Sequence, residues 1–261
     1  MFQNLRKSKK LLLIAMTCAT FAIAGCGSDT TKTTADNGTS VTWSETFDGT
    51  KTDFAVKSAP THAVSMSQAT TEMMLQLGLE DKMAGTAFKE EEIYPPLQAA
   101  YDKVKVLSDK WPSYEVFMSV KPDFATGWPD SFSKRAIPAD KMISQKVNIW
   151  IPESMLSTKA DLETNFSDMI KLGEIFGVKP KAEEWVAGQR KTLAAIQDKL
   201  KDLPRKRVFI YDSEDGQPFT AFEGYTTNIL KLIGADNVMS GLGVDKTWAK
   251  GSWETVIAQN P

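Results

Sequence analysis

From Pro60 onward, short apolar runs alternate with stretches in which apolar residues recur at helical spacing, and few folds accept that rhythm. HAVSM leads into a helical pattern over 68–77, MAGTAF into one over 93–101, DFATGW into one over 131–144, and VNIWI into one over 159–176. A strand, a helix and a further strand make a crossover that leaves the two strands parallel. The spacing therefore predicts an α/β chain with mostly parallel sheets.

Two helical patterns then follow one another with no strand between them. The second, over 180–203, starts at Pro180 and repeats Trp185, Val186, Leu193, Ile196, Leu200 and Leu203 at helical spacing. At ~1.5 Å per residue it would be about 35 Å long, enough to run between two lobes. The other reading is a surface helix of one large domain. A fresh alternation begins at KRVFIYD, passes the turn-rich SEDGQP and a helical pattern over 226–233, and reaches a closing helix from Trp253. The expected organisation is an N-terminal lobe over 58–179, a connecting helix over 180–203 and a second lobe over 204–261. That second lobe has room for only about two strands and two or three helices, so its C-terminal side is expected to be incomplete. Upstream, VTWSETF and TDFAV flank Asp48-Gly49, which signals a hairpin.

The N-terminus carries a different message. Arg6, Lys7, Lys9 and Lys10 precede an uncharged apolar run over 11–23, too short to span ~30 Å of hydrocarbon comfortably. Residues 1–25 thus read as an export signal. The sequence Ile23-Ala24-Gly25-Cys26 resembles the lipobox of bacterial lipoproteins, which implies a diacylglycerol on Cys26. The rival reading is ordinary cleavage after Ala24, leaving Cys26 as a spare thiol. Residues 27–40, rich in Ser, Thr, Gly and Asp, read as a flexible leash, and 26–57 as lipidated cysteine, leash and hairpin together. The other cysteine, Cys18, falls in the signal, so the exported chain has no pair for an internal disulfide and depends on its hydrophobic core. Without residues 1–25 the chain has 27 Lys and Arg against 33 Asp and Glu, a net charge of −6 that gives nucleic-acid binding no support. The expected location is the outer face of the cytoplasmic membrane.

The search for reactive groups returns little. His62 is the only histidine, so zinc or copper sites built on His and Cys are out of reach, and no metal ligands or cofactor are expected. One histidine also leaves no basis for a Ser-His-Asp or Cys-His site, and no G-x-G-x-x-G, P-loop or G-x-S-x-G occurs. Glu90, Glu91 and Glu92 are consecutive and would diverge on a helix. No catalytic residue is assigned. What stands out is aromatic: Phe88, Trp128 and Trp150 lie at ends of expected strands, where open α/β sheets bind ligands, while Trp111 and Trp248 fall in connecting loops. Indoles there offer flat apolar area with one donor, suited to a large planar or macrocyclic ligand. Trp150 and Trp185 read as core.

PTHAVSMSQATTEMMLQLGLEDKMAGT, SYEVFMSVKPDFATGW, KRVFIYDSEDGQPFTAF, GADNVMSGL and SWETVIAQNP occur in an order and spacing that resemble the substrate-binding proteins of ABC importers for iron–siderophore complexes, haem and cobalamin. The resemblance covers about residues 58–261. It implies two lobes joined by one long helix, with the ligand in a shallow cleft between them. It implies that Glu115 and Glu254 dock onto the permease; a plain first-turn glutamate, favoured by the helix dipole, is the alternative. Trp128 and Trp248 match cleft tryptophans of cobalamin-type members, Trp111 and Phe88 belong to neighbouring loops, and Tyr225 lies where the second lobe faces the cleft. The chain departs from the family in having Ser67-Gln68 where Ser-Pro is common. It also lacks an arginine cluster fit for an anionic ferric catecholate, with Lys134 and Arg135 as the only candidates.

Sequence and resemblance together predict a lipid-anchored, monomeric solute-binding protein, not an enzyme, that delivers an iron–siderophore to an ABC permease and its ATPase. The alternatives are a cobalamin or haem receptor of the same class, a lipoprotein enzyme on an α/β scaffold, and a sensor or adhesion module.

Overall fold

A computed structural model describes residues 40–261; Cys26 and the expected export signal and leash, up to residue 39, lie outside the described residues. Strands β1 (Val41–Phe47) and β2 (Thr50–Val56) form a hairpin in which Phe47 faces Thr50. Asp48 and Gly49 take φ of 47° and 79°, the left-handed pair that a two-residue turn between twisted strands requires. The hairpin is fastened to the body by the Trp43 indole N–H, which donates to the Ile149 carbonyl at 2.7 Å, and by Trp43 stacking on Phe54 at 5.7 Å.

The first α/β unit runs β3 (Ala63–Ser65), α1 (Gln68–Gln76), β4 (Met83–Ala87), α2 (Gln98–Tyr101), β5 (Val106–Ser108), α3 (Tyr114–Ser119), β6 (Phe124–Thr126), α4 (Ala139–Ser144), β7 (Asn148–Trp150) and α5 (Leu162–Ile175). Its five strands are all parallel, in the order β5-β4-β3-β6-β7. The chain winds outward from β3 to one edge, then returns beside β3 and winds to the other. The direction therefore reverses between β3 and β6, and a crevice opens beyond the carboxyl ends of those two strands. The core on either side is built from Phe117, Phe124, Phe166, Met74, Ile149 and Leu172, none more than 1 % exposed.

Two expected helices are shorter than their patterns. In 93–101, Pro95 and Pro96 remove consecutive N–H donors, leaving one 3-10 turn ahead of the four-residue α2. In 131–144, Pro138 splits the pattern into a 3-10 turn, Pro129–Phe132, and α4 immediately after the proline. Glu90 and Glu91 sit in a loop rather than on a helix, and their backbone N–H groups donate to Gln68 Oε1 at 2.9 and 2.7 Å. Strand β5 carried no clear signal: its three residues, Val-Leu-Ser, sit half-covered at the sheet edge.

Helix α6 (Lys179–Leu200) has 22 residues and buries only Ala182 and Val186, packing along α5. Arg190 on its open side pairs with Glu163. After it come β8 (Lys206–Val208), β9 (Ser213–Glu214), β10 (Pro218–Ala221), α7 (Tyr225–Leu232), β11 (Ala235–Asn237), β12 (Trp248–Lys250) and α8 (Trp253–Gln259). β8 and β11 pair in parallel, while β9, β10 and β12 form an antiparallel sheet with β10 in the middle. SEDGQP is thus a tight hairpin as well as a turn. Phe222, Val238, Met239 and Val256 form a small core here, and the Asn237 amide ties β10 to α7 through the Ala221 carbonyl at 2.9 Å and Thr227 Oγ1 at 2.7 Å. The Asn228 amide crosses back to the first unit, donating to the Ala160 carbonyl at 2.8 Å.

Candidate functional site

At the reversal between β3 and β6 the chain must turn sharply into helix α1 on one side and into the 3-10 turn at Pro129 on the other. Ser67 caps α1, its hydroxyl accepting from the Thr70 N–H at 3.2 Å. A belt of buried hydroxyls then holds α1 on the strands: Ser65 to Thr70 at 2.7 Å, Thr71 to Ser65 at 2.8 Å, Thr71 to Thr86 at 2.6 Å. Beside it, Gly127 has no room for a side chain, since a Cβ there would lie 2.8 Å from Ser131 Oγ and 3.0 Å from Met66 Cβ. That close approach sets Trp128 at the mouth of the crevice, with its indole N–H 3.4 Å from a Glu90 carboxylate oxygen.

The second α/β unit supplies the facing wall. Gly224, at φ +83°, turns the chain into α7 and presents Tyr225 as its first residue. Trp248 opens β12, opposite Ala221, and stacks on Phe219 at 6.0 Å. Between these walls lies a cleft of about 600 Å³. Trp128, Pro129 and Asp130 line it from the first unit, Tyr225, Thr247 and Trp248 from the second. Its floor is Ala69 and Met73 of α1, Asn165 of α5, and Ser154 and Met155 from the loop after β7.

That loop is held from behind. Asp168 of α5 accepts the backbone N–H of both Glu153 and Ser154 at 2.9 Å, and the Glu45 carboxylate of the hairpin accepts that of Ile151 at 2.9 Å. Burial pushes the Glu45 carboxyl up to about 7, outweighing its hydrogen bond, with the nearby Glu153 and Asp168 charges acting in the same direction. Burial also raises Asp168, though its hydrogen bonds to Ser154 and Glu153 resist this. Tyr225 is raised too, by burial first and then by the charge of Asp168, so its phenol enters the cleft as a neutral donor.

Of the five aromatic residues read from the sequence as ligand contacts, the structure brings Trp128, Trp248 and Tyr225 together around one cavity. Phe88 and Trp111 are not on its wall. They stack on one another at 4.6 Å, the Trp111 indole N–H donating to the Met66 carbonyl at 3.1 Å, and Lys110 lies 5.1 Å over the Phe88 ring. Phe88 takes φ 60°, a left-handed turn that lays its ring on Trp111 instead of into the cleft. Met73, Ser154, Met155, Asn165 and Thr247 were missed, because nothing in their local pattern distinguishes a floor residue from ordinary surface. Glu115 and Glu254 occupy matching places, each the second residue of a short helix capped by a serine, in Ser113-Tyr114-Glu115 and Ser252-Trp253-Glu254. Both are exposed. Hydrogen bonds from its own backbone N–H and from Ser113 hold the Glu115 carboxyl below the usual range.

The charge of the cleft is one-sided. Asp130 and Glu223 line it, and among the described residues no Lys or Arg does. Asp130 is paired with Arg135, and Glu223 accepts from the Ser240 hydroxyl and the Gly241 N–H at 2.7 Å. Lys134 and Arg135 are both exposed and outside the cleft lining. No helix among the described residues is long and apolar enough to cross a membrane, and no cluster of three potential metal ligands occurs among them.

Comparison with known proteins agrees with this geometry. The chain resembles a solved periplasmic binding protein from Veillonella parvula, at 99% identity and TM-score 0.84 over 86% of this chain and 76% of that one. It is 26% identical, over 98% of its length and 79% of the relative's, to an uncharacterized ABC transporter substrate-binding lipoprotein, YvrC, of Bacillus subtilis. A vitamin B12-binding protein of Vibrio vulnificus is 25% identical over 79% of this chain and 71% of its own length. The family pattern described as periplasmic binding protein matches residues 64–261, and with that match, the two-sided cleft at the strand reversal and the long helix, the chain belongs to the substrate-binding proteins of the iron–siderophore, haem and cobalamin ABC importers.

Proposed function

We propose that the protein captures a neutral or cationic metal chelate, foremost a hydroxamate-type ferric siderophore, and hands it to an ABC permease. The observation that carries this reading is the cleft itself: two indoles and a phenol around about 600 Å³, with carboxylates and no basic side chain among the described lining residues. Aromatic faces supply contact area to a macrocyclic or globular complex, and the chelator, not the protein, holds the metal. At ~8 Å and an effective dielectric of ~20, each like-charge pair costs about 2 kcal/mol. A ferric tricatecholate or the propionates of haem would meet Glu223 with no basic side chain among the described lining residues to offset it, since Arg135 is already committed to Asp130. A corrinoid is the second reading, favoured by the likeness to a vitamin B12-binding protein and by the same absence of bases.

In this reading Glu115 and Glu254 are the docking points on the permease, one on each α/β unit. A diacylglycerol on Cys26 would hold the protein at the outer face of the membrane; at ~0.8 kcal/mol per buried CH2, two acyl chains make a lasting anchor. The test is a tryptophan-fluorescence titration of the exported chain with a neutral ferric trihydroxamate, cyanocobalamin, a ferric tricatecholate and haemin. Quenching at micromolar concentration by one or both of the first two, and binding at least about tenfold weaker for the two anions, is the expected result. No quenching by any chelate, or preference for the anions, would overturn it.

A further inference from the structure

The cleft is not closed on the side of the long helix. Ala69 and Met73 of α1 and Asn165 of α5 line it, and the same three residues line a second cavity of about 580 Å³. The second cavity runs over α6, where Trp185 and Gln189 form one wall and the Tyr94–Leu97 segment forms the other. The partition between the two spaces is thus a methyl group, one flexible unbranched thioether and one amide. We propose that this side chamber is a second compartment of the ligand site, holding a neutral, amide-bearing arm of the chelate whose metal-centred body sits between Trp128 and Trp248. The inference rests on the functional reading above and specifies the ligand further.

The chemistry of the walls selects the arm. Trp185, Met169 and Leu97 give apolar area. Among the described residues, the side-chain amides of Gln76, Asn165 and Gln189 and the indole N–H of Trp185 make no hydrogen bond within the protein, although all four side chains line the chamber. A primary amide presents a donor and an acceptor together, and an amide or hydroxamate group on a ligand answers both. The chamber's one carboxylate, Glu72, already accepts from Gln68 Nε2 at 2.9 Å and from the Tyr94 N–H at 3.2 Å. Among the described residues no Lys or Arg lines it, so a carboxylate-tipped arm would find no counter-charge there.

The walls are also set in advance. Trp185 meets Phe166 edge-to-face at 6.2 Å and 83°. The outer wall is pinned to α1 by Glu72 on Tyr94 and by Gln68, which holds the N–H groups of Glu90 and Glu91. Walls fixed before binding spend less of the interaction on ordering. The arm could belong to a linear siderophore or be the amide side chains of a corrinoid; the chemistry recognised is the same.

Two variants test this, neither touching the main cleft: Gln189→Trp, which fills the chamber, and Gln76→Leu with Gln189→Leu, which keeps its volume and removes two amides. Affinities are measured by calorimetry for a linear ferric trihydroxamate with an acetamide tail, a macrocyclic ferric trihydroxamate without one, and cyanocobalamin, with Trp128→Ala as reference and melting curves as a folding control. The expected result is a loss of at least about tenfold for an arm-bearing probe, several times larger than any loss for the macrocycle. Loss confined to the linear trihydroxamate identifies a siderophore arm, and loss confined to cyanocobalamin identifies corrinoid amides. If both chamber variants bind the arm-bearing probes as the unaltered protein does, or weaken all three probes alike, the chamber is not an arm site, while loss in Trp128→Ala leaves the functional reading standing. If the unaltered protein binds none of the three, the functional reading fails and takes the chamber with it.

Discussion

Glu45 shows how a single side chain can join the hairpin to the ligand cleft. Its carboxylate is 6 % exposed, accepts the Ile151 N–H, and faces Glu153 and Asp168, with Lys171 and Glu174 on the same cavity wall. Because its folded-state value stands near 7 against an ordinary 4.5, the protonated form favours folding. That contribution is complete below about pH 4.5 and is lost as pH rises to about 7, an order of 3 kcal/mol at full extent. Glu45→Gln keeps an acceptor for Ile151 without the charge. Chemical denaturation should find it more stable than the unaltered protein by about 1–3 kcal/mol at pH 8 and equal to it at pH 4; parallel stability–pH curves would show that Glu45 is not buried as described. Taking the difference between the two proteins cancels Asp161 and Glu174, whose lowered values act in the opposite sense. At this scale the sequence was legible where chemistry is concentrated in one side chain. Trp128 and Trp248 could be found because indoles at strand ends and in connecting loops are few, whereas Tyr225 came only from the resemblance to the importer substrate-binding proteins. Glu45 and Asp168 could not, since a buried acid inside an alternating strand or an amphipathic helix looks like a solvated one until its partners, 106 and 14 residues away, are known.

Among the elements, the long helix and the parallel strands of the first unit other than β5 were readable because apolar runs or helical spacing mark them, and the two helices that broke did so at prolines already visible in the sequence. The antiparallel β9-β10-β12 sheet was not readable, as β9 and β12 are short, have no buried residue and lack the apolar run that marks the similarly short buried strands β3, β6 and β7. Phe88 and Trp111 illustrate the same limit: a strand end says that a residue lies at the ligand edge of the sheet, not which of five strand ends opens on the cleft. Turns can be tested directly. At Gly224 the backbone is left-handed, and a Cβ would lie 2.8 Å from Thr247 Cγ2 and 3.2 Å from the Ser157 carbonyl oxygen, so Gly224→Ala should cost about 2–4 kcal/mol and displace Tyr225 and Thr247 in the cleft wall. Gly216, at φ +69° with nothing within 4 Å of its Cβ position, should cost only about 1 kcal/mol when changed to Ala. Equal melting temperatures for the two variants would contradict the tight packing of the turn into α7.

For the whole molecule, the two Ser-aromatic-Glu helix starts belong to different α/β units, so a partner that grips both senses how the units sit around a ligand. Replacing Glu115 and Glu254 by Ala should cut ligand-stimulated ATPase activity of the reconstituted permease by about tenfold or more while chelate affinity stays unchanged. A fall in affinity instead would move these residues from docking to the ligand site. The export signal proposed over 1–25 and the lipid proposed on Cys26 would bear on where this exchange happens rather than on the shape of the cleft. Everything proposed for the molecule passes through the space between Trp128 and Trp248. The most direct measurement is the fluorescence titration with neutral and anionic chelates, run in parallel on the unaltered protein and on Trp128→Ala. The account predicts micromolar or tighter binding of a neutral chelate and at least about tenfold loss in the variant with an unchanged melting curve. Unchanged affinity in Trp128→Ala, or binding of no chelate at all, would contradict it.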